Sequence, residues 1–179
     1  LFVGRLSPEK GVRTLLAAWE RLGQAIPLKI VGDGPLAAEV SRTVVRLPRA
    51  EWLGQVPLGD VLPLVGRASV VIVPSVCYEN FPRVVVEAYA KGTPVIASDL
   101  GALAELVEDG RTGLRFCPGD PEDLAAKVEW AWTHPRELAA MGREARREYE
   151  LKYTAERNYE QLMEVYRLAQ EIRRRKGSS

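Results

Sequence analysis

Short apolar runs and amphipathic segments alternate along the first two thirds of the chain. The apolar runs, rich in β-branched residues, are typical of parallel strands buried on both faces. They fall at about 1–3, 28–31, 51–53, 70–73, 93–97 and 113–117. The amphipathic segments between them have apolar residues at i, i+3 and i+4 spacing, as at Val12, Leu15 and Leu16, which predicts helices. We expect these helices at about 12–22, 36–43, 58–66, 82–91 and 103–107. The alternation predicts an α/β fold with a parallel sheet.

Three longer helical segments follow, at about 121–132, 135–149 and 154–174, and the chain ends in a basic tail that we expect to be frayed and solvated. Pro63 falls inside the segment at 58–66, so that helix should begin late or be kinked.

The stretch 70–98 predicts a complete strand, loop, helix and strand. Pro82 suits the first position of the helix, because the amide proton that proline lacks would be unpaired there. Glu87 should lie in the second turn, and Gly92 should cap the end. Doubly wound folds bind ligands at the carboxyl ends of their strands, so the loop that follows residue 73 is a candidate site.

Two carboxylates, Glu79 and Glu87, lie eight residues apart in this stretch. If the segment were all helical, their α-carbons would be about 12 Å apart along the axis. Paired glycosidase carboxylates are about 5–9.5 Å apart, so these two are better placed to hold different ends of an elongated ligand. Spacing alone leaves the alternative open that Glu79 is a solvated loop residue and Glu87 a surface residue of the helix.

Composition narrows the class of protein. The chain has 179 residues, of which 46% are hydrophobic and 27% charged, as in an ordinary globular domain. Its net charge of +1 argues against a nucleic-acid partner. Cys77 and Cys117 are too few for a disulfide framework, and no apolar run reaches the roughly 18 residues of a membrane span. We expect a cytoplasmic location, with peripheral membrane attachment open to a full-length enzyme.

Four segments, in order, resemble one enzyme family. Glu79, Phe81 and Glu87 with the residues up to 97 resemble an E-x7-E signature, and the segment 4–11 resembles a phosphate-binding loop with Arg5 and Lys10 in the matching places. The segments 31–35 and 98–116 fit as well. Together they cover roughly residues 1–120 and resemble glycosyltransferase family 4, the retaining glycosyltransferases of GT-B architecture. The family more often has glycine or proline at Asn80 and glycine at Pro82 and Ala102.

The resemblance implies a fold and a domain. The fold is a Rossmann-like three-layer α/β/α sandwich with a central parallel sheet, one half of a GT-B fold. Residues 1–179 would form the C-terminal domain that binds a nucleotide sugar, with 154–179 as a C-terminal helix and tail. An N-terminal acceptor domain would be a separate partner that this chain lacks. The last helix would contact that domain, and in its absence could drive self-association.

The resemblance also implies roles for single residues. Arg5 and Lys10 would stabilise the leaving diphosphate and Glu79 would position the donor sugar, which makes these three the catalytic candidates. Glu87 would bind the ribose. The other donor-binding candidates lie in loops and at a helix start: Gly4, Gly54, Val56, Asn80, Phe81, Pro82, Arg83, Val84 and Gly101. Because Pro82 has no amide proton, backbone amides that bind phosphate at this helix start would be those of Arg83 and Val84.

The implied reaction is transfer of a sugar, with retention, from a UDP- or GDP-linked donor to an acceptor (EC 2.4). The isolated domain should be nearly inactive, because a GT-B cleft closes between two domains. There is no Asp-x-Asp pair for a metal-bound diphosphate, so we expect no metal and no cofactor.

Other interpretations stay open. The chain could be half of a nucleotide-sugar epimerase, or a non-catalytic regulatory domain with the same fold. His134 is better explained as a helix-capping or surface residue than as a catalyst. The tryptophans and tyrosines have spacings that core packing explains, although Tyr159 and Tyr166 could instead contact the absent domain.

Overall fold

The structure is a computed structural model that describes residues 1–23 and 25–176. Its strands are β1 Phe2–Val3, β2 Leu28–Val31, β3 Ala50–Trp52, β4 Val71–Val73, β5 Val95–Ser98 and β6 Gly113–Phe116. Its helices are α1 Val12–Leu22, α2 Ala37–Val44, α3 Leu58–Arg67, α4 Arg83–Ala90, α5 Ala102–Leu106, α6 Pro121–Thr133, α7 Pro135–Lys152 and α8 Ala155–Lys176. A short 3-10 turn, Pro8–Lys10, precedes α1.

The strands form two parallel three-stranded ladders, β1-β2-β3 and β4-β5-β6. Two backbone hydrogen bonds join the ladders, from Leu1 N to Val70 O at 3.0 Å and from Ile72 N to Leu1 O at 2.8 Å. The strand order is therefore β3-β2-β1-β4-β5-β6. This is a doubly wound order, in which successive strands are added on one side of β1 and then, from β4 onward, on its other side. The carboxyl ends of β1 and β4 thus lie side by side.

Each face of the sheet is covered by helices, because alternate residues of the strands point to opposite sides. Ile72 and Ile96 point to one side, where they pack with α1 and α6. Val71 and Val95 point to the other side, where α3, α4 and α5 cover them. Helix α7 contributes to both layers, with Met141 on the first side. The predicted three-layer α/β/α fold is confirmed.

The predicted ends of α4 were each wrong by one residue. Pro82 is the N-cap of α4, not its first helical residue, since its ψ of 86° lies outside the helical region while its carbonyl accepts the Val85 amide at 3.0 Å. Gly92, at φ 69°, follows the C-cap residue Lys91, one position later than expected. Helix α3 starts at Leu58 as predicted and includes Pro63, so of the two predicted effects of this proline the late start is excluded.

The last two helices differ in how they pack. Helix α7 is held against the core, whereas Tyr159 and Tyr166 on α8 are 63% and 56% exposed. Core packing was therefore the wrong explanation for these two tyrosines, because α8 extends past the body of this chain. His134 joins α6 to α7, and its Nδ1 lies 2.8 Å from Trp130 O, so its interpretation as a capping residue is confirmed. The end of the basic tail, residues 177–179, lies outside the described residues.

Candidate functional site

The candidate residues gather at the carboxyl edge of the sheet. Parallel strands direct their carboxyl ends to one edge, so the loops after β1, β2, β4 and β5 meet there. The loop after β1 carries Arg5 and Lys10, and the loop after β4 carries Glu79. The sequence places these loops about seventy residues apart, and the β1–β4 pairing brings them together.

Lys10 and Glu79 form an ion pair at the centre of this edge. Lys10 Nζ lies 2.8 Å from Glu79 Oε2, and the side chains are 33% and 14% exposed. The other carboxylate oxygen, Glu79 Oε1, accepts a hydrogen bond from the hydroxyl of Ser75. Two of the predicted catalytic residues are thus in direct contact, and a third group, Ser75, holds one of them.

Main-chain contacts fix the turn that carries Lys10. The carbonyl of Glu9 accepts the Val76 amide at 2.9 Å. Gly11 has φ 67° and packs so closely on Pro74 that an added Cβ would lie 1.7 Å from the Pro74 carbonyl oxygen. Only glycine tolerates both the backbone angle and the contact. The turn and the β4–α4 loop are therefore in direct main-chain contact.

The carboxyl of Glu9 lies near both candidate cations. The pKa of the exposed Glu9 carboxyl is lowered first by a hydrogen bond from Ser7 Oγ at 2.6 Å, with further lowering from its own backbone amide and from the charges of Arg5 and Lys10. Arg5 and Lys10 are therefore both close enough to Glu9 to favour its charged form.

A shallow cleft opens beside this pair, between the ends of β1, β2 and β3. It is lined by Val3, Gly4, Arg5, Val31, Gly32, Asp33, Gln55, Val56 and Val61. Gly32 donates its amide to the carbonyl of Gly54 at 2.8 Å. An added Cβ at Gly32 would lie 1.9 Å from the Gly4 carbonyl oxygen, so glycine is required there. The structure thus places three of the predicted site residues, Gly4, Arg5 and Val56, in the lining of one cleft, and a fourth, Gly54, in contact with that lining.

The start of α4 supplies the next group. Glu87 Oε1 accepts a hydrogen bond from Arg83 Nη2 at 3.1 Å, one turn earlier on the same helix. The first amides of a helix, here those of Arg83 and Val84, have no intrahelical acceptor and favour an anion. Glu79 lies in the loop before the helix and Glu87 within it, so the all-helical spacing does not apply. Each carboxylate is paired with its own cation.

The remaining candidates line the rim. Asn80 and Phe81 are exposed, and the Phe81 ring lies 6.5 Å from the Tyr153 ring, which joins this loop to the end of α7. The Tyr78 ring covers Gly101, where an added Cβ would lie 2.6 Å from Tyr78 Cδ1. The loop after β5 is thereby held against the loop after β4.

Sequence reasoning missed Ser75 and Tyr78. Ser75 could have been found, since a polar residue directly after a buried strand of a doubly wound sheet lies at the ligand-binding edge. Tyr78 gave no comparable signal, because its contact with Gly101 depends on the tertiary fold.

Among residues 1–23 and 25–176, no group of three or more His, Cys, Asp or Glu side chains could hold a metal ion. Within the same ranges no helix has the length and hydropathy to cross a membrane.

The sequence is similar to those of known glycosyltransferases and synthases. The D-inositol 3-phosphate glycosyltransferase of Rhodococcus erythropolis is 38% identical over 181 residues, which cover 94% of this chain and 40% of that protein. A glycogen synthase of Mycobacterium tuberculosis is 36% identical over 152 residues, covering 82% of this chain and 36% of that protein. The chain spans less than half the length of these curated relatives.

The fold is also similar to those of solved structures. Anabaena HepE in complex with UDP superposes with a TM-score of 0.85 at 27% identity, over 92% of this chain and 47% of HepE. Sucrose-phosphate synthase from Thermosynechococcus elongatus superposes with a TM-score of 0.84 at 30% identity, over 96% of this chain and 45% of the synthase. Residues 1–134 match the family described as Glycosyl transferases group 1. The chain therefore belongs to the glycosyl transferases group 1 family, and its fold is one Rossmann-like half of the GT-B architecture.

Proposed function

We propose that this chain is the donor-binding domain of a retaining glycosyltransferase of family 4, which transfers a sugar from a nucleoside diphosphate sugar to an acceptor. The observation that carries the proposal is the Lys10–Glu79 pair at the carboxyl edge of the sheet, beside the cleft that contains Arg5. The HepE structures, which are complexes with UDP and with UDP-glucose, support a UDP-linked donor.

The chemistry follows from where charge develops. As the sugar leaves, negative charge grows on the diphosphate, and preorganised cations and amides stabilise it. Arg5 offers a planar fork for phosphate oxygens, and Lys10 offers a point charge. The first amides of α4 add dipoles of the right sign. We assign the stabilisation of the leaving group to these residues, without a metal ion.

The two carboxylates then take different parts of the donor. Glu79, beside Lys10, would accept hydrogen bonds from hydroxyls of the sugar and so orient the anomeric carbon. Glu87, on α4, would accept from the ribose hydroxyls. Lys10 and Arg83 each contact one oxygen of these carboxylates, so donor binding would exchange or share these contacts.

The acceptor site belongs to a part of the enzyme outside this chain. The curated relatives are more than twice as long, which supports a second, N-terminal domain in the full protein. We propose that the chain alone binds donor but transfers sugar slowly, because catalysis needs the cleft between two domains. The cytoplasmic location with peripheral membrane attachment stays a prediction.

Helix α8 offers a surface for that second domain. Its exposed apolar side chains spread along the whole helix: Tyr159, Leu162, Met163, Val165, Tyr166, Leu168 and Ile172. A helix with this much exposed apolar surface has few contacts within its own chain, so it should bury that surface against another body. In the chain alone the other body would be a second copy.

Calorimetric titration tests donor binding. UDP, GDP and ADP are titrated into the chain, first without metal and then with magnesium. We expect metal-independent binding of one nucleotide, weakened at least tenfold by Glu87→Ala and by Arg5→Ala. Glu129→Ala, an exposed glutamate on α6, and Arg42→Ala, an exposed arginine on α2, are matched controls that should leave affinity unchanged.

The outcomes separate the candidate functions. If neither Glu87→Ala nor Arg5→Ala changes the affinity for nucleotide, the donor-site assignment is contradicted. Absence of binding by the full-length protein as well would favour a regulatory domain that has lost its ligand. If the full-length protein binds donor and interconverts sugar epimers without transferring them, the chain is half of an epimerase.

A further inference from the structure

Ser75 is a buried hydroxyl residue in the loop, two positions after the end of β4, and is 1% exposed. Its Oγ is hydrogen-bonded to Glu79 Oε1. An ionised carboxylate only accepts hydrogen bonds, so the single hydroxyl proton of Ser75 points at Glu79. The hydroxyl has no access to solvent that could replace this partner.

The residues on either side of Ser75 are both anchored to the turn that carries Lys10. Pro74 packs against Gly11, and Val76 donates its amide to the carbonyl of Glu9 at 2.9 Å. The Ser75 hydroxyl and the Lys10 backbone therefore belong to one frame. A carboxylate held by Ser75 keeps a fixed position relative to the Lys10 turn.

A second serine shows that burial alone does not produce such a contact. Ser98 is the last residue of the neighbouring strand β5 and is fully buried. Within the described part of the chain its Oγ has no hydrogen-bond partner. The Ser75–Glu79 bond is thus a specific contact of the candidate site, and Ser98 is its natural control.

We propose that Ser75 is a positioning residue that holds Oε1 of Glu79, so that Oε2 is the oxygen presented to a hydroxyl of the donor sugar. This inference rests on the proposed donor-binding function. Lys10 Nζ lies 2.8 Å from Oε2. When the donor binds, the flexible Lys10 ammonium follows the diphosphate, while the Ser75 hydroxyl keeps the carboxylate in place. Ser75 therefore affects recognition of the sugar and not of the nucleotide.

The test compares UDP with UDP-glucose by calorimetry, using wild type, Ser75→Ala, Ser75→Thr and the control Ser98→Ala. We expect Ser75→Ala to weaken UDP-glucose about tenfold or more relative to UDP, the effect of one lost hydrogen bond to a charged group, with UDP affinity unchanged. Ser75→Thr keeps the hydroxyl and should restore the ratio. Ser98→Ala should change neither affinity.

Two results would overturn the inference. One is an unchanged ratio of the two affinities in Ser75→Ala, and the other is an equal loss for both ligands, which would mean a purely structural role. In an otherwise wild-type chain, Glu79→Gln should likewise weaken binding of UDP-glucose relative to UDP. If it does not, the result counts against the proposed function itself.

If wild type binds neither probe, the proposed function fails for uridine donors, and crystal structures without ligand decide about Ser75. We expect the Glu79 carboxylate to leave its position when Oε1 loses its partner in Ser75→Ala and to keep it in Ser98→Ala. A carboxylate that does not move in either variant would refute the positioning role.

Discussion

Lys10 Nζ lies 2.8 Å from Glu79 Oε2 across a sequence separation of 69 residues. The pair connects the first and the fourth strand of the sheet through their loops, at the edge where doubly wound folds bind ligands. It is the contact on which the proposed chemistry depends.

A double-mutant cycle measures this contact in the unliganded chain. Lys10→Met, Glu79→Gln and the double variant should show a coupling of about 1 kcal/mol in the free energy of unfolding, since the pair is partly buried. The more exposed pair Arg21–Glu122, with 2.6 Å between Arg21 Nη2 and Glu122 Oε1, is the control and should couple by less than about 0.5 kcal/mol. Urea denaturation gives both values. Equal coupling in the two pairs would show that the site pair has no special geometry.

Gly11→Ala should destabilise the fold and displace Lys10. The substitution forces a Cβ into the Pro74 carbonyl at a φ of 67°, so we expect a loss of about 3 kcal/mol or more. Gly110→Ala is the matched control, because Gly110 has φ 78° and nothing near its Cβ position. It should cost about 1 kcal/mol, the cost of the backbone angle alone. Similar losses in thermal unfolding would mean that the Pro74 contact relaxes easily.

Glu148 should make stability depend on acid pH. The carboxyl is 8% exposed, and although burial raises its pKa, hydrogen bonds from Lys152 and from Arg111, the latter at 2.9 Å, outweigh burial and leave the pKa lowered. A lowered pKa in the folded state gives stability that is present above the unfolded pKa of about 4.3 and is lost as the pH falls through the folded value.

Glu148→Gln should therefore cost about 2 kcal/mol near neutral pH, and its difference from wild type should shrink in acid. Denaturation at pH 7 and at acid pH checks this. Glu129→Gln, an exposed site, should show no such trend. A Glu148→Gln deficit that stays constant as the pH falls would contradict the lowered pKa.

Self-association should depend on α8. Light scattering of the chain should show a dimer that persists at high salt, because the contact is apolar. Tyr159→Ser combined with Tyr166→Ser should give a monomer, whereas Val45→Ser, at an exposed valine at the end of α2, should not. A monomer at high concentration of the wild-type chain would refute the prediction.

The sequence predicted the elements better than their contacts. Strand positions followed from apolar runs, because strands buried on both faces leave a pattern that local reading detects. Pro82 was misplaced by one residue because propensity permits proline both at and just before the first turn, and only the backbone angle distinguishes them. The exposure of Tyr159 could not be read locally either, since helical periodicity does not reveal what an apolar face packs against.

The site was predictable only in part for the same reason. Arg5, Lys10, Glu79 and Glu87 were found through a resemblance, and spacing alone did not separate them from ordinary surface charges. The Ser75 hydrogen bond and the close approach of Gly11 to Pro74 arise from tertiary contact between distant loops. Nothing in a local window of sequence encodes such contacts.

The pairing of β1 with β4 also constrains the order in which the chain can fold. Each ladder can assemble from its own strands, but the pairing of β1 with β4 joins Leu1 to Val70 across a sequence separation of 69 residues. Closure of a longer loop costs more chain entropy, so β1 and β4 should pair late, after both ladders have formed. The Lys10–Glu79 pair joins the loops that follow these two strands, so the candidate site forms only when this last step of folding is complete.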